Sequence, residues 1–218
     1  IMKKLIALFS VILLAGASYA KEVTLLMDWF PQGNQSGYWQ AQFDNDNHDL
    51  KITVKAGGPK VRTTTAVASG QVEFGLNGSD SVMMANAKGA GLKAIFVSLN
   101  HVPYTLVFHP NQGIKSVNDL EGRPFAVVMG ITYWKWVKYK YGVTAKEFPL
   151  TGDLGLFART PEQFQQGYSI FLPARLDAKG VPNEQITLES LGYRPYSVLF
   201  TSDKLIKEDP ELVQTVVD

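Results

Sequence analysis

Cysteine is absent from this chain of 218 residues. Without it there is no disulfide, so stability must come from a packed core. There is also no thiolate nucleophile, no metal–thiolate site and no cysteine to carry a lipid anchor. Histidine is scarce: His48 sits in a polar stretch, and His101 and His109 flank one apolar run. None of the three has metal-ligand spacing. Charge of one sign is lacking too, with 21 basic and 20 acidic residues and a net charge of +1. No Lys/Arg run is present, so composition offers no electrostatic case for nucleic acid. The alternation of aromatic and basic residues over 134–141 reads as one half-exposed helix face rather than a base-stacking surface. No Gly-x-Ser-x-Gly elbow or Walker loop occurs.

With 45% hydrophobic and 19% charged residues, the chain can fill a core and does not read as disordered. The N-terminus has the three parts of an export signal. Lys3-Lys4 is a basic region, residues 5–16 are an apolar run too short to cross a bilayer, and Ser18-Tyr19-Ala20 presents small residues at a cleavage site. Residues 1–20 are therefore expected to be a signal peptide cleaved after Ala20, leaving a periplasmic protein. Without Lys3 and Lys4 the balance is 19 basic to 20 acidic residues.

Beyond residue 20 the pattern alternates between β-rich apolar runs and helical stretches closed by glycine. Strands are expected at 22–27, 50–55, 72–76, 94–99 and 104–109, and helices at 36–43, 61–69 and 81–88. From Ile114 the pattern restarts. A short capped helix is expected at 116–120, strands at 123–129 and 148–150, and a helix at 132–141. A helix at 161–166 and a strand at 167–171 follow in this reading. A strand at 197–201 then leads to a helix capped by Ser202 and another opened by Asp209-Pro210. Such alternation is the pattern of α/β layers with parallel pairing. The expected units are lobe 1 (21–104), lobe 2 (105–196) and a return segment to lobe 1 (197–218). The last helix reaches Asp218 with no C-cap signal, and Ile1 precedes Met2, so natural relatives are expected to continue further.

An ordered set of segments carries a resemblance. These are residues 23–31 (Val23-Thr24-Leu25-Leu26-Met27-Asp28-Trp29-Phe30-Pro31), Gly57-Gly58-Pro59, residues 68–75 (Ala68-Ser69-Gly70-Gln71-Val72-Glu73-Phe74-Gly75) running into Ser79-Asp80, residues 114–123 (Ile114-Lys115-Ser116-Val117-Asn118-Asp119-Leu120-Glu121-Gly122-Arg123), Gln165-Gln166-Gly167-Tyr168 and Thr201-Ser202-Asp203-Lys204-Leu205-Ile206. Together the chain resembles the ABC-transporter periplasmic binding proteins for thiamine pyrimidine precursors and sulfonates, whose fold is shared with fungal thiamine-pyrimidine synthases. The resemblance implies a type II periplasmic-binding-protein fold: two α/β lobes, a hinge and a ligand in the cleft between them. It also implies an ABC importer permease and ATPase complex as partner, with a monomer expected and no cofactor. Two departures stand out. The segment from Gln42 to Leu50 is short and rich in Asn and Asp, and Leu172 occupies a position where relatives often carry an acid before proline.

Ligands of open α/β sheets sit beyond the carboxyl ends of strands. That places four stretches, 28–36, 77–80, 130–134 and 151–153, around the cleft. Trp29 and Tyr133 are expected to offer ring faces from opposite lobes, each with a core or a surface position as its alternative. Asp28, Asn34, Ser79 and Asp80 supply donors and acceptors, although the last two are equally good helix caps. Thr132 opens a helix whose free N–H groups can meet an anion. Tyr104 and Tyr168 lie near a crossover, where ligand contact and hinge packing are both open. Two other classes remain alongside a receptor. A synthase-like enzyme of the same fold would need the cysteine-rich segment that this chain lacks, and a sensory domain would need an output module.

Overall fold

The computed structural model describes residues 20–43 and 50–218. The expected leader, apart from Ala20, and most of the short polar segment with His48 lie outside the described residues.

Strand β1 (Lys21–Leu26) buries Val23 and Leu25 on one face and half-buries Leu26 on the other, as a strand covered on both sides must. It pairs in parallel with β2 (Leu50–Lys55) and β3 (Phe74–Gly78). Strand β4 (Leu92–Leu99) completes lobe 1 at its edge. The second sheet is built from β5 (Tyr104–Phe108), β6 (Pro124–Val127), β7 (Lys146–Pro149), β8 (Phe164–Tyr168) and β9 (Glu184–Thr187). The chain then returns to the first sheet as β10 (Ser197–Ser202).

The two sheets have matching orders, β2-β1-β3-β10-β4 and β7-β6-β8-β5-β9. In each, one antiparallel strand is supplied across the junction. β5 follows β4 into the second sheet, and β10 comes back from it to lie between β3 and β4. The polypeptide therefore crosses between lobes twice, at residues 100–103 and 188–196. The crossings are bonded to each other through the Val102 N–H and the Pro195 carbonyl, at 2.6 Å.

Helices cover both faces of each sheet. In lobe 1, α1 (Ser36–Ala41), α7 (Asp203–Glu208) and α8 (Pro210–Val217) lie on the face of Val23, Leu25, Phe74, Leu76 and Leu199. The other face, with Val198 and Phe200, takes α2 (Thr63–Ala68) and α3 (Ser79–Asn86). In lobe 2, α4 (Thr132–Tyr141) covers Leu106, Phe125, Val127 and Phe164. On the far side α5 (Leu154–Arg159) and α6 (Leu172–Asp177) enclose Val107. Every residue of β5 is buried, as befits a strand with helices on both faces and neighbours on both edges. Among the described residues no helix is long and apolar enough to cross a membrane.

One expectation is overturned here. Residues 161–166 are not a helix, and the strand is not at 167–171: β8 spans Phe164–Tyr168, with Gln165 and Gln166 buried in it. Glu and Gln favour helix in isolation, but pairing with β5 on one edge and β6 on the other outweighs that preference. Helices α5 and α6 and strand β9 were not anticipated. The first has a cap that was legible, Asp153 accepting from the Gly155 N–H at 2.8 Å.

Candidate ligand-binding cleft

A cavity of about 690 Å³ opens between the two sheets. Its walls are the loops that leave the carboxyl ends of β1, β3, β6, β7 and β8, where parallel strands deliver their following turns to one side. Five of the sequence-expected residues line it: Asp28 and Trp29 from lobe 1, and Tyr104, Thr132 and Tyr168 from lobe 2, where Tyr104, expected as the last residue of lobe 1, opens β5 of the second sheet.

The loop of Asp28 and Trp29 is held rigidly. Their carbonyls accept from the N–H groups of Gly58 and Gly57, at 3.2 and 3.0 Å, so the loop is zipped to the end of β2. Only glycine fits at 57, because an added Cβ would stand 2.6 Å from the Trp29 nitrogen and overlap the Met27 carbonyl. The Asp28 carboxyl is pushed up to about 6, chiefly by burial. Backbone N–H groups and the Gln35 amide, 3.3 Å from Oδ1, act in the opposite direction. Asp28 therefore changes charge just below neutral pH.

Across the cleft, Tyr104 and Tyr168 sit opposite one another in the β5–β8 ladder, with ring centroids 5.5 Å apart in an edge-to-face arrangement. Burial raises both hydroxyls well above the ordinary tyrosine value, and the nearby Asp28 and Asp80 charges act in the same direction. Both hydroxyls thus stay protonated and can donate to a ligand. Gly167 precedes Tyr168 because the Leu172 side chain fills the space a Cβ would need, with the Leu172 Cβ at 2.7 Å.

The other four expected residues stand elsewhere. Tyr133 is a correction: its side chain is fully buried in the lobe 2 core, behind Tyr104 at a centroid separation of 4.8 Å, and offers no ring face to the cavity. Helix α4 turns that position inward because Tyr133, Trp134 and Val137 form its buried stripe. Asn34 belongs to a 3-10 turn (Gly33–Gln35) behind the cavity wall, with its Oδ1 buried and unpartnered. Ser79 is tied to the return crossing, its N–H donating to the Tyr196 carbonyl and its Oγ accepting from the Tyr196 N–H. Asp80 accepts a 2.6 Å hydrogen bond from the Tyr193 hydroxyl, while burial raises its carboxyl above the usual value. Neither Ser79 nor Asp80 is on the cavity wall, which Asn77 and Ser81 reach instead.

Several lining residues were missed by residue reading. Gln165 and Gln166 were placed in a helix, although Gln166 Oε1 accepts from the Val128 N–H at 2.9 Å and so braces the wall. Arg62, Phe171 and Arg175 had no local signal, since only the packing of α2 and α6 against their sheets aims them at the cleft.

Two covered α/β sheets, each lending the other a strand, joined by a double crossing with a cleft at their carboxyl ends, make a type II periplasmic-binding-protein fold. The model of the family described as NMT1/THI5 like matches residues 34–218, and the chain belongs to that family. Among solved structures, the alkanesulfonate-binding protein SsuA from Xanthomonas axonopodis pv. citri, bound to MOPS, is similar at a TM-score of 0.68 and 18% identity. The match covers 89% of this chain and 70% of that one. The periplasmic aliphatic sulphonate binding protein SsuA from Escherichia coli is similar at 0.64 and 15% identity, over 90% of this chain and 66% of that one. In sequence, a 4-amino-5-hydroxymethyl-2-methylpyrimidine phosphate synthase from Legionella pneumophila is 27% identical over 113 residues, which is 50% of this chain and 35% of that protein. The chain thus spans about a third of the length of this curated relative.

Proposed function

We propose that the chain captures a small planar organic molecule in the periplasm and delivers it to an ABC importer. The observation that carries this reading is the two-sided cavity, with Trp29 on one wall and Tyr104 and Tyr168 on the other. A flat ligand touching both walls would bind the closed arrangement better than the open one, and that difference drives lobe closure. The two crossing segments form the hinge, and the permease and ATPase complex distinguishes the closed form. The protein works as a monomer after cleavage of the leader following Ala20, and it requires no cofactor. Among the binding residues are Asp28, Trp29, Tyr104, Thr132 and Tyr168.

Native mass spectrometry of protein purified from the periplasm tests the reading. A co-purifying small molecule and an N-terminus at Lys21 are expected. An uncleaved cytosolic product without any bound molecule would sink it.

A second reading, a pyrimidine-phosphate synthase of the same fold, is supported by the likeness to the Legionella enzyme. Appearance of a phosphorylated aminopyrimidine on incubation with cell extract would favour it over capture.

A further inference from the structure

Each crossing passes from one lobe's anchorage to the other's within a few positions. In the outgoing crossing, Leu99 still pairs with Ser197 in lobe 1, and Val102 is already buried in the lobe 2 core. In the return crossing, the Tyr193 ring packs on Trp136 of lobe 2, and Tyr196 is bonded to Ser79 of lobe 1. The intervals between these anchors, 100–101 and 194–195, each carry one side chain able to bear a positive charge: His101 and Arg194. Both meet the same carboxylate. His101 Nε2 is 3.1 Å from Glu189 Oε2, and Arg194 Nε is 3.5 Å from Glu189 Oε1. Glu189 lies in a turn fixed to lobe 2. There the Leu188 N–H donates to the Tyr104 carbonyl at 2.9 Å, and Lys140 Nζ and the Tyr141 hydroxyl of α4 donate to the Leu191 carbonyl at 2.8 and 3.3 Å.

We propose that Glu189 is a clasp across the hinge: it holds both crossing intervals in the arrangement described here, and grips harder when His101 takes up a proton. Rotating the lobes changes backbone angles at a few hinge residues, and so swings both side chains relative to Glu189. A neutral imidazole offers the carboxylate a hydrogen bond at most, whereas an imidazolium sets a full charge 3.1 Å from it. Histidine side chains change charge between about pH 5 and 8. Acid therefore favours the clasped arrangement, and alkali frees the hinge. His101 and Glu189 are 42% and 41% exposed, so the effect is modest and screened by salt. The other ionisable side chains on this junction are Lys140 and Tyr141, engaged by the Leu191 carbonyl, and Tyr193, bonded to Asp80 of α3. The clasp rests on the lobe motion of the capture reading, but not on which molecule the cleft takes.

Spin labels on cysteines introduced at Lys88 of lobe 1 and Lys179 of lobe 2, both exposed, read the interlobe distance by pulsed electron resonance. Moving from about pH 8 to about pH 5 should enrich one distance by up to about fivefold. Asp28 changes charge in the same interval, so the clasp is read as the excess response of the labelled parent over its His101→Gln variant. Glu189→Gln should remove that excess, high salt should shrink it, and His101→Lys should hold the enriched distance at both pH values. If His101→Gln responds to pH as fully as the parent, or the parent does not respond, the clasp is overturned. Native mass spectrometry keeps the two readings apart. A co-purifying molecule with no excess response sinks the clasp alone, and an excess response with no bound molecule sinks capture alone.

Discussion

The Tyr193 hydroxyl donates a 2.6 Å hydrogen bond to Asp80 Oδ2, joining the return crossing to the first turn of α3 in lobe 1. On its other side the Tyr193 ring packs against Trp136 of α4, with centroids 4.9 Å apart. A continuous chain of contacts therefore runs from lobe 1 through the crossing to lobe 2. The other Asp80 oxygen is buried and has no partner, which leaves Tyr193 as the carboxyl's side-chain donor among the described residues. Removing that donor while keeping the ring strands a buried acceptor. Tyr193→Phe should cost about 1–3 kcal/mol of stability. It should also broaden the interlobe distance distribution between spin labels at introduced cysteines, which is convenient in a chain that has none. An unchanged melt with an unchanged distribution would show that the bond neither stabilises nor orients the lobes.

Asp28 makes stability depend on pH. Its carboxyl rises from 3.8 to about 6 on folding, so between those values the folded protein holds a proton that the unfolded chain has released. Its contribution is fully present below about pH 4 and is lost as pH climbs through about 6. Denaturation measured across that interval should show a downward slope with rising pH that Asp28→Asn flattens. Affinity for a ligand that donates to the carboxylate should run the other way, weakening as pH falls below 6.

Trp29 and Tyr133 should now respond differently to truncation. Trp29 lines the cavity, so Trp29→Ala should lose roughly 1–3 kcal/mol of binding to a planar ligand, by analogy with base–aromatic stacking, with little effect on the melt. Tyr133 is core, so Tyr133→Ala should cost about 3–5 kcal/mol of folding stability through the cavity it leaves. Calorimetry paired with chemical denaturation separates the two. A Tyr133→Ala protein that melts normally but fails to bind would return that ring to the cleft.

Gly57 holds the aromatic loop in place by being small. In Gly57→Ala the new methyl would overlap the Met27 carbonyl, and the Asp28–Trp29 loop would have to lift from β2. Binding should weaken more than in Gly33→Ala, where nothing lies within 4 Å of the added carbon. Equal affinities in the two variants would show that the loop tolerates displacement.

The Phe30 ring spans the cleft mouth, 3.3 Å from a Cβ built at Gly58 in lobe 1 and 3.9 Å from one built at Gly152 in lobe 2. A ring shared by both walls should slow ligand escape. Phe30→Ala is expected to raise the dissociation rate more than it lowers the association rate, as stopped-flow fluorescence would read. Loss confined to association would contradict a closing role.

Much of the fold was already legible along the chain, because its signals are local. Apolar runs rich in β-branched residues located β1, β2, β5 and β10, and the helix expected at 132–141 has the extent of α4. Ser202 and Asp209 each cap the helix they were expected to open, accepting from Leu205 and Leu212 N–H groups. The loops after β1 and β6 were assigned to the cleft from strand direction alone. What the tertiary structure decided is whatever depends on a partner distant in sequence. β8 is a strand because β5 and β6 hold it on both edges, although its glutamines favour helix. Tyr133 is core because α4 turns it onto the sheet. Asp80 and Ser79 serve the crossing because residues more than a hundred positions later come back to bond them. Arg62 and Arg175 face one cavity because two lobes fold around it. Periodicity and capping are written within a few residues, whereas side-chain direction at a cleft is set by packing between segments that meet only once the chain has crossed twice.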